Sequence, residues 1–130
     1  MAEAKQVIVM KKFPGLRTGK YVAQGAHAAM GALLSMAKLD STGDNLIIPL
    51  YNHFIKEWLT GRFKKIALYV ETDTELVGLY DAAQKAGLPA ALIKDAGLTE
   101  FNGVPTLTAV GIGPGDPAVI DKITGHLKLF

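Results

Sequence analysis

Short apolar runs rich in β-branched residues alternate with longer amphipathic segments along this chain of 130 residues. Runs of that kind are typical of strands buried on both faces. We expect strands at residues 6–11, 65–70, 90–93 and 106–112. The spacing of apolar residues predicts helices at 20–38, 50–59 and 117–124, and one capped by Asp73 or Thr74 that ends before Gly87. This order of elements predicts an α/β fold.

The connections between the predicted strands restrict how they pair. The first three strands are joined through helices, and right-handed crossovers of that kind make them parallel. Only ten residues separate Asp95 from Thr106, too few for a crossover helix. The fourth strand is therefore expected to be antiparallel in a small, mostly parallel mixed sheet of about four strands. The length and the absence of a linker or repeat predict a single domain over residues 1–130.

The first and last helices carry specific packing expectations. In the first, one broad apolar face is expected to meet the core: Val22, Ala26, Met30, Leu33, Leu34 and Ala37. Near the C-terminus, His126 is expected to have a packing role. The glycine-rich segment 111–115 has Pro114 inside it, so it is predicted to be a turn and not a dinucleotide-binding loop.

Composition excludes several kinds of chemistry. The chain has no Cys, which excludes disulfides, a thiolate nucleophile and Cys-ligated metals. Its three His are not at metal-ligand spacing, and no metal or cofactor is expected. The apolar segment 21–37 is too short and too polar to span a bilayer, and the N-terminus does not resemble a signal peptide. We therefore expect a cytoplasmic protein without a membrane partner.

Four polar residues are predicted to meet at one edge of the sheet. Ligands of open α/β sheets usually bind where the carboxyl ends of the parallel strands lie. The proposed topology brings to that edge the start of the first helix, the end of the third strand and the start of the fourth. The residues placed there are Lys20, Asp95, Thr99 and Thr106.

The first predicted helix places Lys20, Gln24 and His27 on a stripe roughly 60° wide, so that the three side chains point one way. Lysine beside the free N–H groups of a helix N-terminus makes a site for phosphate or carboxylate. An amide one turn later is suited to donate to an oxyanion. The alternative is a solvated Lys and Gln, with His27 at the edge of the core. A Walker loop is excluded, because three residues rather than four separate Gly15 from Gly19 and Tyr21 follows the Lys.

Asp95, at the end of an apolar strand, has three possible functional roles: general base, water-orienting group, or ion-pair partner of Lys20. Its structural alternative is a turn or helix cap. Thr99 and Thr106 are suited either to position water or substrate or to a structural role. The basic residues Lys11, Lys12, Arg17 and Lys20 surround the same loop and are suited either to a polyphosphate backbone or to solvent.

Five blocks of sequence resemble peptidyl-tRNA hydrolase type 2, in order and over nearly the whole chain. They are GKYVAQGAHA (19–28), DAGLT (95–99), GVPT (103–106), GIGP (111–114) and IDKITGHLKL (120–129). The resemblance implies a three-layer α/β/α sandwich on a mixed sheet and metal-independent hydrolysis of the ester that joins a peptide to tRNA. It also implies a tRNA partner and a homodimer.

The resemblance carries over residue by residue. Lys20, Gln24, Asp95, Thr99 and Thr106 match the active-site group of the family, and His27 lies in its helix block. We assign Lys11, Lys12, Arg17 and His27 to substrate binding. The loop 12–16 departs from the family pattern, which often has an acidic residue followed by Met there. The alternatives are a non-catalytic RNA-binding or adaptor domain with the same fold, and a small hydrolase acting on another ester.

Overall fold

The computed structural model describes residues 3–98 and 100–130. In that part of the chain, helices and strands alternate. The elements in chain order are β1 (Lys5–Lys11), α1 (Thr18–Leu34), β2 (Lys38–Leu39), β3 (Leu46–Ile47), α2 (His53–Thr60), β4 (Lys65–Val70), α3 (Asp73–Lys85), β5 (Ala90–Asp95), β6 (Thr106–Gly115), α4 (Pro117–Thr124) and β7 (Lys128–Leu129).

The main sheet has the strand order β5-β6-β1-β4-β7. Strands β1 and β4 pair in parallel, and the other neighbouring pairs are antiparallel. The directions of β1, β4 and β5 are therefore the same, and β6 runs opposite to them beside β5, as predicted. Because β6 inserts between β5 and β1, β5 has no parallel strand beside it in the described sheet, and β1 and β4 are the pair of neighbours that run parallel. Strand β7 was not predicted, since two exposed residues have no apolar pattern to indicate a strand.

The starts of α2, α3 and α4 are explained by side-chain caps. The Asn52 carboxamide oxygen accepts from the first N–H groups of α2, and Asp116 caps α4 in front of Pro117. In α3 the cap is Thr72, so the prediction of Asp73 or Thr74 is wrong by one or two residues. Thr72 accepts from the Glu75 N–H and donates its hydroxyl to the Glu75 carboxylate, and these two bonds fix the earlier start.

Helices cover both faces of the sheet. Helices α3 and α4 enclose the larger apolar core, in which Val9, Leu76 and Ile120 are fully buried. Helix α1 packs on the opposite face against β1, β5 and β6. These layers agree with the predicted α/β/α sandwich. The β2–β3 ladder and α2 lie outside the main sheet, and α2 contributes Trp58 to a second cluster with Leu33.

The predicted packing face of α1 is wrong except at Leu33, which is buried as expected. The buried residues of the helix are Gln24, Ala28, Ala32 and Leu33, whereas Val22 and Met30 are 67% and 57% exposed. The reason is a very close approach of helix and sheet. A Cβ on Gly111 of β6 would clash with the Ala28 carbonyl oxygen. At this distance small side chains must face the sheet, and the larger apolar ones remain outside.

Two other local predictions are corrected near the C-terminus. Residues 111–115 belong to β6 and are not a turn, because Gly115 pairs with Lys5 beyond a register shift. Gly113 has φ 100°, and a side chain there would meet the Lys5 carbonyl oxygen, so only glycine continues the strand. His126 is exposed and not packed, whereas its neighbour Leu127 packs against the core. Across the described residues, none of the helices is long and apolar enough to cross a membrane.

Candidate active site

The candidate site lies at the sheet edge where β5 ends and β6 begins. Asp95 and Thr106 are register partners across these two strands. The first two turns of α1 bring Lys20 and Gln24 to the same place, so that residues 71 or more positions apart in the chain make contact. This is the edge at which the carboxyl ends of β1, β4 and β5 meet.

The Asp95 carboxylate is the centre of the cluster. Its Oδ1 accepts from the Lys20 ammonium at 3.0 Å and from the Gln24 Nε2 at 3.2 Å. Its Oδ2 accepts from the Gly97 N–H at 2.8 Å. The Lys20 and Asp95 side chains are only 13% and 14% exposed. Asp95 therefore both closes its own turn, as the structural alternative predicted, and forms an ion pair with Lys20.

The hydrogen bond from Lys20 holds the pKa of Asp95 below its usual value of 3.8. Burial acts in the opposite direction, and the Gly97 N–H, the Lys20 charge and the Gln24 amide lower the pKa further. Asp95 is thus ionised at neutral pH. A carboxylate with a lowered pKa is a weak base, so it is better suited to hold Lys20 and orient a water molecule than to remove a proton unaided.

Gln24 is fixed by a residue that the sequence did not indicate. Thr108 donates its hydroxyl to the Gln24 Oε1 at 2.6 Å, and the two residues are 1% and 2% exposed. Because the amide oxygen accepts this bond, the amide nitrogen must face Asp95. The sequence pattern that indicates Thr108 is the period of two along a strand, which puts Thr108 on the same face of β6 as Thr106.

Thr106, one of the two other predicted threonines, bonds to the backbone. The Thr106 hydroxyl donates to the Val104 carbonyl at 2.8 Å, which closes the turn before β6. Thr106 therefore lies beside Asp95 in the sheet, with its hydroxyl committed to the backbone. Thr99 lies outside the described residues.

The predicted basic residues separate into different environments. Arg17 pairs with Glu100 at 2.7 Å, and together with Lys20 they line an open groove of about 450 Å³. Lys11 pairs with Asp73 of α3, on another side of the sheet edge. The Lys12 ammonium lies 3.7 Å from the centre of the Tyr69 ring. His27 is exposed and not at the core edge, since the helix buries Ala28 instead.

Aromatic side chains that the sequence did not single out shape the rim of the site. The Tyr21 hydroxyl accepts from the Phe13 N–H at 2.8 Å and donates to the Phe13 carbonyl at 3.0 Å, which fixes the loop after β1 to α1. The rings of Phe13 and Phe101 are 4.9 Å apart, and the Lys20 ammonium is 5.8 Å from Phe101. Over residues 3–98 and 100–130, no three His, Asp or Glu side chains group as a metal site requires.

Comparison with protein families decides the assignment. The model of the family described as peptidyl-tRNA hydrolase PTH2 matches residues 4–130. The chain belongs to the PTH2 family.

Curated archaeal relatives of this PTH2 chain match over nearly the full length of both proteins. A peptidyl-tRNA hydrolase of Methanocaldococcus jannaschii is 40% identical over 126 residues, which cover 97% of this chain and 99% of the relative. Another of Staphylothermus marinus is 41% identical over 128 residues, covering 98% and 96%. A third, of Thermococcus onnurineus, is 38% identical over 131 residues, covering 99% of each.

Among solved structures, a protein of unknown function from Agrobacterium superposes with a TM-score of 0.52 at 14% identity. The match covers 100% of this PTH2 chain and 99% of the other. At this identity the likeness concerns the fold alone.

Proposed function

We propose that this protein hydrolyses the ester bond of peptidyl-tRNA and releases free tRNA and a peptide. As a member of the PTH2 family, with curated relatives named peptidyl-tRNA hydrolase, it is a hydrolase of translation. The observation that carries the proposal within the structure is the Asp95 carboxylate, which holds the Lys20 ammonium and the Gln24 amide at an open edge of the sheet.

The proposed reaction uses a water molecule oriented by Asp95. An ionised carboxylate has about four acceptor positions, and Asp95 uses three of them within the described residues. A water bound at the remaining position attacks the ester carbonyl carbon, and the bond from that carbon to the ribose oxygen breaks. One proton of the attacking water passes to the ribose oxygen, and the other is released to solvent as the new carboxyl group of the peptide ionises.

In this reaction Lys20 stabilises the negative charge that develops on the carbonyl oxygen, and the buried Gln24 amide keeps Asp95 oriented. Both donate from fixed positions, because Asp95 holds the ammonium and Thr108 holds the amide. Donors arranged before the reaction stabilise a transition state without further reorganisation. An alternative role for Lys20 is to bind a phosphate at the start of α1. Thr99 and Thr106 are proposed to position substrate or water.

We infer that tRNA binds along the cationic rim of the same edge, with Lys12 and Arg17 near the phosphates and His27 further along α1. Arg17 reaches over the open groove beside Lys20. Lys11 belongs to the same proposed rim, although its ion pair with Asp73 weakens its attraction for phosphate. Because tRNA is its substrate, the protein is proposed to act in the cytoplasm.

A homodimer is also proposed. Its support is the apolar side of α1 that faces away from the sheet. Val22, Ala26 and Met30 lie there along an open groove of about 640 Å³. Exposed apolar surface of this kind typically marks an interaction site.

The direct test is release of tRNA from peptidyl-tRNA by the purified protein. Lys20→Ala and Asp95→Ala are expected to lower kcat by on the order of 10²-fold or more, the usual effect of losing a preorganised electrostatic group. Lys122→Ala and Asp81→Ala, which change exposed residues of α4 and α3 in the same way, are the matched controls.

Full activity of both site variants would contradict the assignment of the site. An inactive wild-type protein that still binds tRNA would contradict the hydrolase and favour an adaptor. Turnover of a simple ester but not of peptidyl-tRNA would indicate a different esterase.

A further inference from the structure

Two loops at the carboxyl end of the sheet touch each other beside the candidate active site. The β1–α1 loop (residues 12–17) follows β1, and the β5–β6 loop (residues 96–105) follows Asp95. Among the described residues, the second loop contacts the first through Phe101, whose ring centre is 4.9 Å from that of Phe13. Both rings are half-buried. Whatever holds the first loop therefore also helps to hold the second.

The Tyr21 hydroxyl fixes the backbone of the β1–α1 loop. It accepts from the Phe13 N–H at 2.8 Å and donates to the Phe13 carbonyl at 3.0 Å, so that one hydroxyl binds both polar groups of a single residue. Tyr21 belongs to α1 and directly follows Lys20. The loop that it holds contains residues 12–16, where the sequence departs from the pattern of the PTH2 family. The loop is thus bound to the helix that carries the lysine of the site.

The β5–β6 loop is tied at its base and at its tip. At the base, the Gly97 N–H donates to the Asp95 carboxylate and the Gly97 carbonyl accepts from the Gly103 N–H at 2.7 Å. At the tip, Glu100 pairs with Arg17, whose side chain is 79% exposed. Exposed ion pairs contribute little to stability, whereas paired aromatic rings add to the effect of apolar burial. The ring contact between the two loops is therefore the stronger tie at the tip.

The tip of the β5–β6 loop lies over the lysine of the candidate site. The Lys20 ammonium is 5.8 Å from the centre of the Phe101 ring, within the range of a cation–π interaction. The side chains of Lys20 and Asp95 are only 13% and 14% exposed. Electrostatic interactions are stronger where water is excluded. A loop that moved away from this position would expose the ion pair and free the ammonium to move.

We propose that Tyr21 is a positioning residue for the hydrolysis and acts on Lys20 through Phe13 and Phe101. This inference rests on the proposed function. The Tyr21 hydroxyl fixes Phe13, the Phe13 ring holds Phe101, and the β5–β6 loop keeps the Lys20 ammonium where negative charge develops. Charge that is arranged before the reaction stabilises the transition state without further reorganisation. Tyr21 itself does not touch the ester.

The first test is kinetic and uses peptidyl-tRNA as the substrate. Tyr21→Phe keeps the ring and removes only the hydroxyl. It should lower kcat on the order of tenfold, a typical cost of lost positioning, and leave KM close to the wild-type value. Tyr80→Phe is the matched control, because it removes a hydroxyl that accepts from the Gln84 amide on α3, and its kcat should be unchanged.

The route through the ring contact is tested with a double-mutant cycle. Phe101→Leu should also lower kcat on the order of tenfold, whereas Phe101→Tyr keeps an aromatic ring and should retain the wild-type rate. If Tyr21 acts through Phe101, the double variant Tyr21→Phe/Phe101→Leu should be no slower than Phe101→Leu alone. Independent effects would multiply to a loss of about a hundredfold.

Amide hydrogen exchange tests the same route without substrate. Tyr21→Phe should speed exchange at the Phe13 N–H, which loses its acceptor. It should also speed exchange at the Gly103 N–H, which bonds to Gly97 within the β5–β6 loop, because that loop becomes free to open. Tyr80→Phe should change neither rate. Thermal melting confirms that each variant is folded.

An unchanged kcat in Tyr21→Phe would overturn the proposal, as would multiplied losses in the double variant or an unchanged exchange rate at Gly103. Activity of the wild type is measured separately. A wild type that hydrolyses peptidyl-tRNA, with a Tyr21→Phe variant equally fast, would refute the positioning role alone. An inactive wild type would refute the proposed function, and exchange at Gly103 would still decide whether Tyr21 holds the β5–β6 loop.

Discussion

Replacing Thr108 by Val tests whether the candidate site depends on a fixed amide. The change keeps the shape of the side chain and removes the hydroxyl that donates to the Gln24 Oε1 at 2.6 Å. Both residues are almost completely buried, so water cannot replace the lost donor. A buried acceptor left without a partner costs about 1–3 kcal/mol of stability. For a domain of this size each kcal/mol lowers the Tm by roughly 4 °C.

The same change should also lower activity. Without the Thr108 hydroxyl, the Gln24 amide is no longer held with its nitrogen towards Asp95. Loss of precise positioning typically costs on the order of tenfold or more in rate. Thr108→Ser retains the hydroxyl and should keep most of the activity. The measurements are urea unfolding and kcat for peptidyl-tRNA, both made on the wild type and the two variants.

A double variant separates stability from catalysis. Gln24→Met in the Thr108→Val background removes both hydrogen-bonding groups, and replacing both partners by apolar ones is often nearly neutral. Stability should therefore recover towards the wild type while kcat stays low. If Thr108→Val is as stable and as active as the wild type, or if the double variant regains activity, then the amide does not have the role assigned to it.

Three further changes probe the charge, the packing and the exposed helix face. Because Lys20 lowers the pKa of Asp95, the ion pair stabilises the fold above the ordinary Asp pKa, and this contribution is lost as the pH falls through the lowered value. In urea unfolding from pH 2 to 6, the free energy of unfolding should therefore depend less on pH in Asp95→Asn than in the wild type. Gly111→Ala forces a Cβ against the Ala28 carbonyl and should lower the Tm sharply. Gly78 in α3 has open space around it, so Gly78→Ala should raise the Tm slightly. Equal effects of the two changes on the Tm would contradict the packing argument. Val22→Glu should shift the protein towards the monomer in sedimentation, and an unchanged mass would argue against α1 as the dimer surface.

Local patterns in the sequence were sufficient for most of the secondary structure. Strand β4 and helix α4 occur at the residues predicted for them, because a β-branched apolar run and a Pro at a helix start are local signals. The antiparallel direction of β6 followed from chain length, since ten residues do not allow a crossover helix. The same reasoning about connections predicts that Lys20 and Asp95 lie at one edge of the sheet.

What the sequence left undecided depends on distances between elements. The close approach of α1 to β6 decides that Ala28 is buried and Val22 exposed. The spacing of apolar residues along one helix does not indicate how close that helix lies to the sheet. The contact from Thr108 to Gln24 is of the same kind, since it joins residues 84 positions apart. Local patterns and chain connectivity predict the longer strands and the helices, their directions and the polar residues at the edge, but not β2, β3 and β7 or the continuation of β6 through residues 111–115. The tertiary structure decided which faces are buried and which partners fix each polar group, because both depend on atoms that are distant in the chain and meet only after folding.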